Sequence, residues 1–281
     1  MSWTWWPAPA KLNLFLHVVG RRADGYHDLQ TLYQLIDLRD TIGLEPRVDG
    51  GIERVEGLAD VAPAQDLAVR AARLLKEATG CPLGAGIAVR KRIPAGGGLG
   101  GGSSDAATVL LVLNRLWGLG LGVDDLATLG VRLGSDVPVF LHGSSAWAEG
   151  RGELLEPLEL PERWYLVIRP RVAISTAEIF QAPELTRNSP LITIRAFFHA
   201  GSRNDCEPIV RRRYPEVDAV LRWLAQRAEA RMTGTGACVF AGFDNAADAE
   251  GVAAQVPDEW QRFVARGLNR SPLHAALAAV S

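Results

Sequence analysis

A glycine-rich segment constrains this chain more than any other feature. Residues 94–104 read Pro-Ala-Gly-Gly-Gly-Leu-Gly-Gly-Gly-Ser-Ser, which places six of the 29 glycines of the chain within seven positions. Apolar residues at a period of two predict a strand over residues 86–93, before the glycines. The run of helix formers over residues 105–117 predicts a helix after them, with Ser103 and Ser104 as its N-cap residues. The local unit is therefore a strand, a glycine loop and a helix N-terminus.

This unit suits a phosphate group, because glycine lets backbone N–H groups approach an anion and a helix N-terminus adds unpaired N–H groups. A flexible linker or a tight turn is the alternative. A Walker A loop is excluded because Gly102 is followed by Ser103 with no lysine. A dinucleotide site needs an acidic residue about 20 positions further on, at the end of a strand, but Asp124 and Asp125 are predicted to begin a helix. Protein-kinase motifs are absent from the sequence.

Composition bounds the class of protein. The chain has 281 residues, 48% of them apolar, and a net charge of −2, so we expect a globular core and no general affinity for nucleic acid. No apolar run reaches the ~18 residues of a membrane span, and the amino terminus lacks the pattern of a signal peptide. The three cysteines are far apart and indicate a reducing compartment. We therefore predict a cytoplasmic protein that does not bind membranes.

The first strand carries candidate polar groups. Residues 10–19 alternate so that one face is wholly apolar, while Lys11 and Asn13 share the other face. Turn residues follow, and residues 28–38 predict a second strand, so the chain opens with a hairpin. From the strand alone, exposure of Lys11 and Asn13 to solvent is the simpler interpretation.

Two further segments could complete a site. Asp136 precedes Val-Pro-Val-Phe-Leu and is either a helix N-cap or a carboxylate aimed out of a helix end, as a general base requires. The Thr-Gly-Thr-Gly-Ala segment at 233–237 is either the link between a helix and a strand or a second loop that closes over a phosphate. With Lys11 and the glycine loop, these groups fit phosphoryl transfer, which depends on charge neutralisation and positioning. A rise in Gly, Glu and Pro over 143–161 predicts a domain boundary.

These motifs carry a family resemblance. Residues 94–104 resemble the second motif of the GHMP kinases (galactose, homoserine, mevalonate and phosphomevalonate kinases), Lys11 with Asn13 resembles the first, and residues 232–237 resemble the third. The turn Arg-Ala-Asp-Gly-Tyr-His at 22–27 resembles the branch of the family that recognises a cytosine.

The resemblance implies an α+β fold of two domains with the active site in the cleft between them. We place an N-terminal ATP-binding domain at residues 1–152 and a C-terminal domain at residues 153–281. The implied reaction is the ATP-dependent phosphorylation of the 2-hydroxyl of a cytidine diphosphate-linked methylerythritol, a step of the non-mevalonate route to isoprenoid precursors. Mg²⁺ is expected with ATP, and the sequence identifies neither its ligands nor the oligomeric state.

The resemblance also assigns the catalytic pair and the substrate contacts. Asp136 would accept the hydroxyl proton, and Lys11 would keep Asp136 ionised and stabilise the transferring phosphoryl group. The substrate would be held at its reacting end by Asn13, at the cytosine edge by His27 and on the cytosine ring by two aromatic residues. The full set of implied substrate contacts is Asn13, Tyr26, His27, Thr176, Phe180, Gly234, Thr235 and Gly236.

The implied ATP contacts are the glycine loop for the phosphates and three residues around the adenine. They are Pro94, Ala95, Gly96, Gly97, Gly98, Leu99, Gly100, Gly101, Gly102, Ser103 and Ser104, with Asp66, Leu67 and Lys91. Two alternatives remain at this stage, a relative that phosphorylates another small alcohol and a non-enzymatic RNA-associated protein.

Overall fold

The computed structural model describes residues 2–59, 61–200 and 203–280. The strands within those ranges are β1 Thr4–Arg21, β2 His27–Arg47, β3 Ile52–Glu56, β4 Gly84–Arg90, β5 Ala146–Glu149, β6 Leu154–Pro157, β7 Trp164–Arg169, β8 Arg231–Met232, β9 Val239–Phe243 and β10 Gln261–Leu268. The helices are α1 Leu67–Thr79, α2 Gly101–Leu116, α3 Val123–Gly130, α4 Val137–His142, α5 Thr176–Gln181, α6 Ile194–Ala200, α7 Glu207–Arg213, α8 Pro215–Ala225, α9 Ala246–Ala253 and α10 Pro272–Ala279. None of these helices is long and apolar enough to cross a bilayer.

The strands form one sheet that runs through both halves of the chain. Its order is β3-β4-β2-β10-β7-β9-β8, with β1 and β5 also paired to β2, and β6 paired to β5. The predicted hairpin is confirmed, because β1 and β2 pair antiparallel with Asn13 opposite Tyr33. A register shift between Asn13 and Leu16 ends the strict alternation, and Phe15 and Leu16 are therefore both buried.

Two main cores lie on either side of the junction between β2 and β10. The first is built from β1, β2 and β4 with helices α1, α2 and α4, and it includes Leu273 of α10. The second is built from β7 and β9 with α7, α8 and α9. Helix α10 thus follows the second core along the chain but packs in the first.

Helix α2 begins earlier than predicted, and its N-cap residue is a different one. It begins at Gly101 rather than Asp105, and its N-cap is Gly100, whose φ of 73° is left-handed. Ser103 and Ser104 therefore lie inside the first turn, and their prediction as N-cap residues is wrong. Glycine serves at this position because a residue with a Cβ would be strained at that φ. The helix start is consequently part of the glycine loop itself.

Other predicted elements differ at their ends. Asp66, an implied adenine contact, is the N-cap of α1, and its carboxylate accepts from the N–H of Ala68. The strand predicted over 86–93 is β4, which begins at Gly84 and ends at Arg90.

Candidate active site

The two glycine-containing loops touch backbone to backbone. The N–H groups of Ala237 and Cys238 donate to the carbonyls of Gly96 and Gly97 at 3.3 and 3.2 Å. A Cβ added to Gly98 would lie 2.3 Å from the carbonyl oxygen of Thr233, and Gly98 has a φ of 75°. Only glycine permits this approach, so the glycine loop and residues 233–236 form a single wall.

Lys11 and Asp136 form an ion pair beside this wall. Lys11 Nζ lies 3.2 Å from Asp136 Oδ2 and also donates to Asn13 Oδ1 at 2.6 Å and to the Gly98 carbonyl at 3.0 Å. Lys11 and Asn13 are each only 2% exposed, so the simpler interpretation from the strand, solvent exposure, is wrong. Their cover comes from the glycine loop and from residues 233–236, which are distant in sequence.

Asp136 is both an N-cap residue by position and a member of this ion pair. It precedes α4, but its carboxylate makes no capping hydrogen bond. The carboxylate instead bonds Lys11 and the phenol of Tyr33, whose Oη donates to Asp136 Oδ1 at 3.0 Å. A carboxylate held at both oxygens and partly open to a cavity has a fixed orientation toward an incoming group.

Tyr33 is the residue that sequence reasoning missed. Burial, and next the charge of Asp136, raise the pKa of Tyr33 well above its ordinary value, so the phenol stays protonated and serves as a donor. Lys11 Nζ also lies 5.4 Å from the centre of its ring. The available signal was the hairpin register, since residues opposite each other in an antiparallel pair share a face, and Tyr33 is opposite Asn13.

Asn13 is fixed by three elements. Its backbone N–H donates to Thr233 Oγ1 at 2.9 Å, and its side-chain Nδ2 donates to Thr31 Oγ1 at 2.9 Å. Its Oδ1 accepts from Lys11, as described above. Asn13 therefore connects the Lys11–Asp136 ion pair to the loop at 233–236.

A cavity of about 450 Å³ lies along the glycine loop and holds most of the predicted ATP contacts. Among the residues that line it are Asp66, Leu67, Lys91, Asp136, Thr176 and the loop residues 94–103. Ser104 is buried in the first turn of α2 beneath the loop. The structure thus brings the three predicted adenine residues to one side of the predicted phosphate loop.

Lys91 is the centre of a buried charge cluster in this cavity. Its Nζ lies 2.5 Å from Asp40 Oδ2 and 2.7 Å from Asp105 Oδ2. Burial alone would lower the pKa of Lys91, but the two carboxylates outweigh it and the pKa is raised. Burial raises the pKa of Asp105 to about 7, against the opposing effect of Lys91 and with a further increase from Asp40.

Asp40 also holds the chain before the loop. Its Oδ1 accepts from the N–H groups of Arg92 and Ile93, at 2.5 and 2.8 Å. Asp66 has a comparable structural role, because it caps α1 and pairs with Arg54 at 2.8 Å. The predicted adenine contacts are therefore anchored by ion pairs of their own.

A second cavity of about 520 Å³ contains the predicted cytosine contacts. The rings of His27 and Phe180 are stacked, with their centres 5.3 Å apart and planes at 23°. Tyr26 lies at the mouth and is 53% exposed. This places residues from β2 and its turn against residues from α5, in the other half of the chain.

Arg187 fixes the tautomer of His27. Arg187 Nε donates to His27 Nε2 at 3.0 Å, so this nitrogen is an acceptor. Burial, then the charges of Arg187 and Arg21, lower the pKa of His27. The imidazole is therefore neutral near pH 7 and carries its proton on Nδ1.

The two cavities adjoin each other beside Asp136. Asp136 lines the first cavity and Ser135 lines the second, while Thr176 lines both. Thr176 and Thr235 share a hydrogen bond of 2.9 Å between their hydroxyls. Gly234 approaches Gly98 and Asn13, and Gly236 lies against Met232.

A further cavity, of about 690 Å³, is lined by Leu14, Tyr165, Phe198, Glu229 and Arg231, among others. Its facing charges Glu229 and Arg231 are paired with each other, and it lies apart from the Lys11–Asp136 pair. The first two cavities are therefore the candidate site, since they hold most of the predicted site residues.

Two family models match this chain. Residues 66–144 match the GHMP kinases N terminal domain, and residues 184–262 match the GHMP kinases C terminal domain. A solved structure of mevalonate kinase from Methanococcus jannaschii superposes with a TM-score of 0.69 at 17% identity, covering 95% of this chain and 99% of that chain. That similarity shows the fold.

Closer relatives share most of the sequence. The 4-diphosphocytidyl-2-C-methyl-D-erythritol kinase of Alkalilimnicola ehrlichii is 58% identical, covering 97% of this chain and 94% of the relative. The enzyme of the same name from Halorhodospira halophila is 56% identical, covering 99% of this chain and 97% of the relative. A crystal structure of 4-(cytidine 5'-diphospho)-2C-methyl-D-erythritol kinase superposes with a TM-score of 0.82 at 35% identity, covering 94% of this chain and 99% of that chain.

The fold and the site define a small-molecule kinase of the GHMP class, with the predicted α+β architecture. Within that class, the chain belongs to the family of 4-diphosphocytidyl-2-C-methyl-D-erythritol kinases.

Proposed function

We propose that this protein transfers the γ-phosphoryl group of ATP to the 2-hydroxyl of 4-diphosphocytidyl-2-C-methyl-D-erythritol, in the non-mevalonate pathway to isoprenoid precursors. The observation that carries the proposal is the Lys11–Asp136 pair, with 3.2 Å between charged atoms, at the junction of the two cavities. A donor in one cavity and an alcohol in the other would meet at this pair. The family's relatives carry the name of this reaction.

The residues divide the chemistry as follows. Asp136 accepts the proton of the hydroxyl as it attacks, and its partly exposed carboxylate is held in place by Lys11 and Tyr33. Lys11 neutralises charge that develops between the attacking oxygen and the phosphoryl group. Asn13 contacts the alcohol beside the reacting hydroxyl, since its side chain is bonded to Lys11 Nζ at 2.6 Å.

ATP occupies the cavity along the glycine loop. The backbone N–H groups of residues 96–102 and the start of α2 bind the phosphates, while Asp66, Leu67 and Lys91 surround the adenine. Cytosine occupies the other cavity, between Phe180 and Tyr26, with its edge read by His27. Thr176 lines both cavities and shares a hydrogen bond with Thr235, and Gly234, Thr235 and Gly236 contact the substrate beside it.

Mg²⁺ accompanies ATP in this proposal. The described residues contain no cluster of three acidic, histidine or cysteine side chains that would hold a metal ion. Asp136 and Ser103 are among the oxygen-bearing side chains that line the cavity along the glycine loop, and they would suit Mg²⁺, because this ion keeps several waters and binds through one or two protein groups plus phosphates. When bound, Mg²⁺ neutralises phosphate charge.

We also propose that the protein acts in the cytoplasm. Cys81, Cys206 and Cys238 are buried and unpaired, which fits a reducing compartment. A small molecule is the proposed partner, and nucleic acid is not, given the net charge of −2.

The substitution Asp136→Asn tests the proposal. It keeps the shape of the side chain and removes the base, so we expect kcat to fall by about 10²- to 10⁴-fold with little change in the KM for ATP. ADP release is measured with and without the cytidine-linked alcohol. Asp258→Asn, at a fully exposed carboxylate far along the chain, is the matched control. Near-normal turnover of Asp136→Asn would rule out its assigned role, and turnover of mevalonate or homoserine alone would rule out the substrate.

A further inference from the structure

Arg151 is a cation in the substrate cavity that the chain leaves without an anionic partner. It lies in the turn between β5 and β6, and its guanidinium is centred 3.7 Å from the middle of the Tyr26 ring. Across the ranges 2–59, 61–200 and 203–280 its side chain forms no ion pair, and its buried Nε has no hydrogen-bond partner. The nearby carboxylate of Asp24 pairs with Arg22 instead, at 3.3 Å.

Two other arginines line this cavity: Arg21, which is exposed at the end of β1, and Arg187, whose nitrogens all donate to the protein. Arg187 donates to His27 and to the carbonyls of Phe180, Ala182 and Leu185. It is therefore part of the wall of the cavity. Arg151, in contrast, keeps its guanidinium donors for a molecule that enters.

The turn that carries Arg151 is rigid. The N–H of Arg151 donates to Glu153 Oε2 at 2.5 Å, and the N–H of Gly152 donates to the Glu149 carbonyl at 3.0 Å. Gly150 and Gly152 have φ values of 69° and 111° that favour glycine. Stacking on Tyr26 then restricts the side chain, so little conformational entropy remains to be lost when an anion binds.

Arg151 also lies between the two ends of the site. Its ring partner Tyr26 belongs to the proposed cytosine end. Its neighbour Gly152 lies at the catalytic end, where an added Cβ would be 2.5 Å from Tyr33 Oη, the donor to Asp136. In the proposed substrate, the diphosphate joins the cytidine to the alcohol, so it must pass between these two ends.

We propose that Arg151 binds the diphosphate of the substrate and thereby selects a nucleoside diphosphate-linked alcohol over the free alcohol. This inference rests on the proposed function. The planar guanidinium matches phosphate oxygens through paired N–H groups.

The test is the binding of cytidine and of cytidine diphosphate to the full chain, measured by calorimetry with a non-hydrolysable ATP analogue filling the ATP cavity. The variant is Arg151→Gln. Its matched control is Arg227→Gln, because Arg227 also stacks on an aromatic ring, that of Trp223 at 3.9 Å, and lies outside both cavities. We expect Arg151→Gln to raise the Kd of cytidine diphosphate by about 10- to 100-fold, the range for a lost hydrogen bond to a charged group. The Kd of cytidine should stay at the wild-type value.

A second readout is kinetic. In Arg151→Gln the KM for the cytidine-linked alcohol should rise, while the KM for ATP stays at the wild-type value. For Arg151→Lys, the KM for the cytidine-linked alcohol should lie between those of the wild type and Arg151→Gln. If Arg151→Gln weakens the binding of cytidine and of cytidine diphosphate equally, or weakens the binding of neither, the assignment of Arg151 is overturned. The proposed substrate would still stand. Failure of the wild-type protein to bind either ligand would overturn the proposed substrate and this inference together.

Discussion

The phenol of Tyr33 donates to one oxygen of Asp136 at 3.0 Å while Lys11 pairs with the other at 3.2 Å. The two partners come from adjacent strands of the opening hairpin, and Asp136 comes from the start of α4. The carboxylate of Asp136, the proposed base, is therefore oriented by the sheet rather than by its own helix. A base that is oriented before the substrate arrives loses less entropy in the transition state.

Tyr33→Phe should slow the chemical step without weakening the binding of ATP. The lost hydrogen bond to a charged group corresponds to ~1.5 kcal/mol or more, so we expect kcat to fall by about tenfold or more. The KM for ATP should stay at the wild-type value, because the phenol donates to the carboxylate of Asp136. Tyr165→Phe, at a buried tyrosine that packs on Phe240, should change neither. A fall in kcat together with a rise in the KM for ATP would indicate a structural role only.

Arg187→Gln should change how substrate binding depends on pH. In the wild type the lowered pKa of His27 keeps the imidazole neutral down to a pH below its ordinary value of about 6.5. Protonation of Nε2 would end the hydrogen bond that this nitrogen accepts from Arg187 and disturb the wall of the cavity. The KM for the cytidine-linked alcohol should therefore rise only as the pH falls below that value. Removing the charge of Arg187 should shift this rise to higher pH. KM measured from pH 5 to 8 tests it, and identical profiles for the two proteins would contradict it.

Gly98→Ala and Gly96→Ala form a matched pair in the glycine loop. Both residues have positive φ, 75° and 67°, but a Cβ at Gly98 would meet the Thr233 carbonyl, whereas a Cβ at Gly96 meets nothing within 4 Å. Gly96→Ala should cost only the backbone strain of about 1–2 kcal/mol. Gly98→Ala should in addition separate the two loops, lower the melting temperature further and raise the KM for ATP. Equal effects of the two variants would show that the contact with Thr233 is unimportant.

Asp105→Asn should stabilise the protein, and more at pH 8 than at pH 5. The pKa of Asp105 is raised to about 7 in the folded protein and is about 3.9 in an unfolded chain. Between these values only the folded protein holds the proton, so stability is lost as the pH rises through that window. The substitution removes this loss, and Lys91 keeps Asp40 as a partner. The measurement is the melting temperature of Asp105→Asn and of the wild type at pH 5 and pH 8. A melting temperature of the variant below that of the wild type at pH 8 would refute the prediction.

Asp40→Asn is the control for that experiment. Asp40 accepts from two backbone N–H groups as well as from Lys91, and an amide cannot replace all three bonds. We expect this variant to lower the melting temperature at both pH values.

The sequence predicted the elements of the site better than their burial. The glycine loop, the hairpin and Asp136 at a helix start all follow from local patterns, and the α+β class was confirmed. Exposure of Lys11 was the simpler interpretation because a single strand does not show what covers it. The cover is supplied by Gly98 and Thr233, and the contact between them joins residues far apart in sequence.

Two features could not be read from local chemistry. Serines just before a helical run usually indicate an N-cap, but Gly100 has the freedom to start α2 earlier, so Ser103 lies inside the helix. Tyr33 reads as one more apolar strand residue until its register with Asn13 is known. The roles assigned to the ATP and substrate contacts, and the domain boundary at residue 152, remain predictions.

Helix α10 has a consequence for biosynthesis. Leu273 lies in the core formed by β1, β4 and α2, and Arg115 of α2 donates to the carbonyls of Leu277 and Val280. During translation, the residues of that first core leave the ribosome long before α10 does. The half of the protein that contains Lys11 and the glycine loop is thus expected to remain incompletely packed until α10 emerges. Until that point its apolar surface is exposed, and a chaperone can bind it.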